Sequence, residues 1–246
     1  MNPLILSIET ATLGGGVCVS AGDSALAMVA GDPALSHSNT LLSDISQCLL
    51  EASVAIQDVQ LFAATSGPGS FTGLRIGLAT IKALSATLNR PCVGVPTLQV
   101  IAHTAGASDA TVSILPAGRG EVFVQLFSFG STVTEHDAAA HLPPALAIER
   151  YGSLPTLKWV GPGAVIHRDL IESKARERGF AFSVAGVNDR ETSGDGWLLV
   201  SREANLAKHL AAIAWQRLQA GELEQAESLS AIYVRPSDAE LKCNPV

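Results

Sequence analysis

Two glycine-rich turns carry the residue types in this chain that could do chemistry. In the first, Glu9-Thr10-Ala11-Thr12 leads into Gly14-Gly15-Gly16. A carboxylate beside two hydroxyls on such a turn can hold a Mg²⁺-phosphate, and the same groups serve equally well to cap the turn. The second is Ser66-Gly67-Pro68-Gly69-Ser70-Phe71-Thr72-Gly73-Leu74-Arg75-Ile76-Gly77. Here Gly69, Ser70 and Thr72 are the anion or nucleotide candidates, because first-turn N–H groups at the positive end of a helix dipole receive phosphate. A tight strand-to-helix connection would need the same glycines. The segment has neither the Lys-Ser/Thr of a P-loop nor the glycine spacing of a dinucleotide fingerprint.

Other constellations carry less. The six histidines, His37, His103, His136, His141, His167 and His209, include no H-x-x-x-H and no H-E-x-x-H pair, so no helix presents two imidazoles on one face and no metal site is expected. No G-x-S-x-G nucleophile elbow occurs; Gly67-Pro68-Gly69-Ser70-Phe71 comes near but shifts the serine. Cys18, Cys48, Cys92 and Cys243 are far apart, without C-x-x-C, and read as reduced, mostly buried thiols. Arg119 and Glu121 straddle Gly120 at a strand start, where an ion pair or a surface turn explains them.

The elements that must position these residues follow from periodicity and punctuation. Leu4, Leu6 and Ile8 alternate, and an apolar run resumes at Val17, which predicts a β-hairpin with a glycine tip and a third strand over 25–30. A helix opened by Ser36 or Ser38 carries Leu41, Leu42, Ile45, Cys48 and Leu49 at helical spacing. The run 61–65 predicts a strand that stops at about Thr65, and a helix capped by Ser70 or Thr72 runs on to Leu88. A strand at 91–95 and a helix at 97–105 complete a β-β-β-α-β-α-β-α series. A less regular second series has strands at 111–115, 121–129, 132–135 and 157–160, with helices at 143–150, 164–178 and 201–219. An edge strand is predicted at 231–236, ended by Pro236.

The helix over 74–88 is apolar or small around most of its circumference, with Arg75 and Lys82 the charged exceptions. It must be covered on more than one side, either by its own domain or by a second polypeptide. Gly73 and Gly77, like Ala79 and Ala83, fall four apart and would let another helix approach closely.

At 246 residues the chain can form one large domain or two modest ones. It has no run of apolar residues long enough to cross a membrane as a helix, and Met1-Asn2-Pro3-Leu4 lacks a basic signal region, so a cytoplasmic location is expected. A net charge of −7 makes it a poor independent ligand for RNA, which needs clustered Lys and Arg; another subunit should hold any RNA.

The segment 66–77 matches the G-P-G-S-F-T-G-L-R-I-G block of the TsaB family, formerly YeaZ, of bacterial threonylcarbamoyladenosine synthesis. The similarity extends along the chain. Ile5-Leu6-Ser7-Ile8-Glu9-Thr10-Ala11-Thr12 resembles the family's I-D-T-S-T strand, and His37-Ser38 with Leu41-Leu42 resembles its H-S-x-x-L-L helix start. Gly94-Val95-Pro96-Thr97-Leu98 resembles G-V-S-T-L, Gly118-Arg119-Gly120-Glu121-Val122 the end of D-A-R-R-G-E-V-Y, and Tyr233-Val234-Arg235-Pro236 the terminal Y-L-R. Two positions depart from the pattern: Glu9 stands where Asp is usual, and Pro116 occupies an Asp position.

The resemblance implies an α/β fold of the ASKHA class (actin-like, sugar kinase, Hsp70), with two lobes each built on a mixed β-sheet flanked by helices. The expected lobes are 1–106 and 107–246, with the last helix and tail, about 201–246, able to pack back on the first. It further implies a non-catalytic scaffold or activating subunit that binds its paralogue TsaD, helps recruit the ATPase TsaE, and serves modification of adenosine 37 in ANN-decoding tRNAs. The H-x-x-x-H metal pair of TsaD falls near Thr97 and Ile101 here, neither of which ligates through nitrogen. The implied partner interface is His37, Leu41, Leu42, Ile45 and Leu49 on one helix with Arg75, Leu78 and Lys82 on the next. The same surface would make a homodimer of the isolated chain. No intrinsic cofactor is expected; ATP or ADP has its place at a subunit interface, and tRNA is reached through the complex. The competing expectation is a stand-alone ASKHA-type ATP-dependent phosphotransferase or a peptidase-like enzyme.

Overall fold

A computed structural model describes residues 2–34, 37–130, 132–186, 195–201 and 205–234. The chain divides into two compact units, one of Met1–Val100 with Asn205–Tyr233 and the other centred on Ile101–Ala204.

In the first unit β1 (Leu4–Glu9), β2 (Gly16–Ala21) and β3 (Ser24–Ala30) form an antiparallel meander. β4 (Leu61–Gly67) and β5 (Cys92–Pro96) extend it in parallel, giving the order β3-β2-β1-β4-β5. Strand alternation sorts the side chains onto two faces. Leu6, Ile8, Val17, Val19, Phe62 and Ala64 pack under α1 (His37–Ala52) and α2 (Phe71–Leu88). Ile5, Leu61, Ala63, Val93 and Val95 pack under α7 (Leu206–Ala220). The helix α7 is also fixed from beneath, where the Ser7 hydroxyl donates to the carbonyl of Ala207 at 2.7 Å.

The second unit repeats this plan. α3 (Thr97–His103) leads into β6 (Ser108–Gly118), which pairs antiparallel with β7 (Glu121–Phe129); β8 (Val133–Glu135) and β9 (Ala140–Leu142) both pair with β7. On the other side of β6 lie β10 (Leu157–Val160), β12 (Trp197–Val200) and β11 (Phe182–Ala185), all parallel. The order β8-β7-β6-β10-β12-β11 thus has the same hairpin-then-parallel layout as the first sheet. α4 (Pro144–Arg150), α5 (Pro162–Ile166) and α6 (Arg168–Glu177) pack on it around Trp159 and Trp197, whose rings meet at 5.0 Å.

Several sequence expectations are corrected. β4 runs to Gly67, two residues past the expected stop, because the turn's first residues still pair with β5. The helix expected over 164–178 is two, broken at His167. The last helix starts at Leu206, where Asn205 supplies the cap, and not at Ser201. β9, β11 and β12 were not expected at all, and the described part of 231–236 forms no strand. Ser36, one proposed cap of α1, lies outside the described residues.

Candidate functional site

The two glycine-rich turns meet. Ser70 caps α2, its hydroxyl accepting from the Gly73 N–H at 3.2 Å, while its own N–H donates to the carbonyl of Ala11 at 2.8 Å. The glycines of the block are spaced for this contact. A Cβ at Gly69 would lie 2.5 Å from the Ala11 carbonyl oxygen, one at Gly73 2.0 Å from that of Thr10, and one at Gly77 2.2 Å from the Thr10 hydroxyl. Real side chains do not approach so closely, so the one-turn glycine repeat seats α2 on the end of β1. The close approach expected for another helix at Gly73 and Gly77 is therefore taken by the chain's own Thr10, through its carbonyl at Gly73 and its hydroxyl at Gly77.

Glu9 caps its own turn. The buried carboxylate accepts from the Ala11 N–H at 2.6 Å and the Thr12 N–H at 2.9 Å, and from the Thr12 hydroxyl at 2.6 Å. Both oxygens thereby cap the loop, whose tip carries Leu13, 90% exposed. The hydrogen bonds of the turn compete with any Mg²⁺ for this carboxylate. At the second turn Gly69 is half-buried and Ser70 and Thr72 are exposed, with Ser70 already engaged as a cap. Thr97 and Ile101, the positions aligned with the paralogue's histidine pair, are buried.

The residues expected at a partner interface separate into two sets. Leu41, Ile45 and Leu78 are buried in the unit's own core, and Leu49 packs against it. Leu42, beside that buried face of α1, is 72% exposed, and Leu50, not singled out in the sequence, is 79% exposed. Arg75 is exposed and Lys82 half-buried. The backbone of His37 opens α1, and its side chain lies outside the described residues.

The resemblance allowed the last helix and tail to pack back on the first lobe, but no motif marked the route by which the C-terminal segment reaches this site. After α7 it runs back along β5, the edge of the sheet. Glu224 exchanges both backbone hydrogen bonds with Cys92, at 3.0 and 2.8 Å, and its carboxylate accepts from the Gly94 N–H at 2.9 Å. Arg217 donates to the Gly94 carbonyl at 2.8 Å, so the outward backbone groups of Cys92 and Gly94 are satisfied. Leu229 is buried beside Gly94, and the Ile232 N–H donates to the Ser66 carbonyl at 2.7 Å. Tyr233 then stacks on Phe71, centroids 5.2 Å apart, at the first residue of α2. The only sequence signal for this was Tyr233 itself, in the tail that resembles the family's Y-L-R.

Among the described residues no group of three or more His, Cys, Asp or Glu side chains is placed to hold a metal ion, and no helix is long and apolar enough to cross a membrane.

Against known proteins, the family described as TsaD: tRNA N6-adenosine threonylcarbamoyltransferase matches residues 32–236, most of the chain. The chain belongs to this family. Within the family it is similar to the tRNA threonylcarbamoyladenosine biosynthesis protein TsaB of Bacillus subtilis (strain 168), at 27% identity over 190 residues, 76% of this chain and 82% of the relative. The Escherichia coli (strain K12) TsaB is 29% identical over 132 residues, covering 52% and 57%. A tRNA N6-adenosine threonylcarbamoyltransferase of Chelativorans sp. (strain BNC1) is 40% identical, but over 76 residues, 31% of this chain and 21% of that enzyme. Among solved structures, YeaZ from Pseudomonas aeruginosa superimposes with a TM-score of 0.71 at 23% identity, covering 94% of this chain and 99% of its own. A Pseudomonas aeruginosa protein described as uncharacterized with similarity to peptidase YEAZ gives 0.73 at 22% identity, covering 95% and 100%. The fold is of the ASKHA type, and the two mixed sheets agree with it.

Proposed function

We propose that this chain serves tRNA N6-threonylcarbamoyladenosine synthesis as a non-catalytic subunit that docks on the catalytic paralogue TsaD through the outer faces of α1 and α2. The observation that carries the reading is the fate of Glu9: the carboxylate best placed for phosphate chemistry caps its own turn through three short hydrogen bonds. The similarity to TsaB proteins supports the pathway. The exposed Leu42 and Leu50 on α1 and the exposed start of α2 support a docking role, since large apolar side chains grouped on a helix face mark contact surfaces. In this reading the isolated chain pairs with a second copy through the same faces, TsaE joins the assembled pair, tRNA is held by the assembly in the cytoplasm, and any nucleotide sits at a subunit interface.

Reconstitution of tRNA threonylcarbamoylation with and without this chain tests the reading. Dependence on the chain, with no activity from it alone, is the expected result. Tight binding and turnover of ATP-Mg²⁺ by the lone chain would overturn it in favour of a stand-alone phosphotransferase.

A further inference from the structure

Arg75 is an exposed cation that is held in place with no counter-charge among the described residues. Its guanidinium carbon lies 3.8 Å from the centroid of the Phe71 ring, and its Nε donates to the Tyr233 hydroxyl at 3.4 Å. Among the described residues no carboxylate bonds to it. The stacking ring lies one turn before it on α2, and the hydroxyl comes from 158 residues away at the end of the strap that begins at Glu224. Three anchors set that end: the Glu224–Cys92 pairing, the buried Leu229, and the Ile232–Ser66 hydrogen bond. A guanidinium ordered in advance loses less side-chain freedom on pairing, and its planar fork matches a carboxylate. Ile232, 42% exposed, and Tyr233, 47% exposed, give the site an apolar border.

We propose that Phe71, Arg75 and Tyr233 form a pre-built clasp for a carboxylate side chain of the docking partner, so that the C-terminal segment is part of the interface. The inference rests on the docking reading above and adds a residue and a chemistry to it. An aspartate or glutamate at the edge of an apolar contact is the occupant. A phosphate backbone is disfavoured because nucleic acid needs several cations together, and the partners of Arg75 at this site are the two aromatic side chains. The clasp also gives Tyr233 a role that packing alone does not: it orients the Arg75 fork through a hydrogen bond that phenylalanine cannot make.

The test is the affinity of the purified full chain for the purified TsaD paralogue, measured by surface plasmon resonance at low and high salt. Arg75→Gln is expected to weaken binding about tenfold or more and to flatten the salt dependence, and Arg75→Lys is expected not to restore it. Tyr233→Phe should weaken binding about threefold, with no further loss when added to Arg75→Gln, since coupled residues are not additive. Melting temperatures should be unchanged throughout. Leu42→Asp reports separately on the docking reading. If it abolishes binding while Arg75→Gln binds as the wild type does at both salts, the clasp is overturned and the docking reading stands. Additive losses from the two clasp variants would overturn the positioning role of Tyr233. A loss confined to self-association, or to tRNA capture by the assembled complex, would move the anion elsewhere and overturn the proposal. A wild-type chain that does not bind the paralogue overturns both.

Discussion

Gly77 and Thr10 are in contact at the limit of what backbone and hydroxyl allow: a Cβ at Gly77 would stand 2.2 Å from the Thr10 Oγ1. Glycine inside a helix ordinarily costs about 1 kcal/mol relative to alanine. Here the helix accepts that cost to lie against the end of β1. Gly77→Ala is therefore expected to destabilise the chain by roughly 1–3 kcal/mol, read as a lower denaturation midpoint, because overpacking outweighs the propensity gain. Thr10→Ala removes the obstructing atoms, and the double variant should recover most of the loss. Gly73→Ala, which meets the Thr10 carbonyl oxygen, should find no such rescue.

Leu41 and Leu42 are neighbours in sequence and opposites in role, at 4% and 72% exposure. Leu41→Asp buries a charge in the core and should prevent folding at ordinary temperature. Leu42→Asp should leave the far-UV spectrum and melting temperature unchanged. Co-purification with the TsaD paralogue is expected to fail for Leu42→Asp, and retention of the complex would remove α1 from the interface.

Glu9→Gln keeps the shape of the capped turn but weakens its charge-assisted hydrogen bonds. A loss of about 1–2 kcal/mol in chemical denaturation is expected. Calorimetric titration with ATP-Mg²⁺ should give the same trace for the variant and the wild type. A binding heat present in the wild type and absent from the variant would return Glu9 to phosphate chemistry.

Burial pushes the Cys18 thiol up from 9.0 to about 12, with a smaller push from the neighbouring Cys48; burial likewise raises Cys48 and Cys92. The neutral thiol is the folded form's preference, so its contribution is complete below about pH 9, where the unfolded thiol also keeps its proton. Above that the unfolded chain releases a proton that the folded chain retains. Stability should fall as pH rises from about 9 to about 12, at about 1.4 kcal/mol per pH unit for Cys18. Cys18→Ala should reduce the slope in denaturation titrations across that window. Slow labelling of these thiols by a disulfide reagent at pH 8 is the companion expectation.

Much of the first unit could be read from the chain because its signals are local. Alternation at Leu4, Leu6 and Ile8, punctuation at Gly67-Pro68-Gly69, and the Ser70 cap all act within a few residues. β12 was missed for the opposite reason. Trp197-Leu198-Leu199-Val200 is buried on both faces, so it shows no alternation, and a four-residue apolar run does not by itself declare a strand. The site was harder still. Helical spacing identified the apolar face of α1 but not whose core would take it, and Leu41 and Ile45 go to the chain's own. The glycine repeat of α2 announced a close approach without naming Thr10 and Ala11 as what is approached. No local pattern could place Tyr233 against Phe71.

The return of Glu224 to Cys92 sets the order in which the molecule can be completed. The outer strand of the first sheet is made within the first hundred residues, yet its open side is closed by a segment that leaves the ribosome more than a hundred residues later. Until then the nascent chain carries an unsealed strand and an uncovered sheet face where α7 will lie, both ready templates for wrong pairing. Such a protein finishes its first-made half last, and truncation near the C-terminus would cost the N-terminal sheet its closure before it cost anything else.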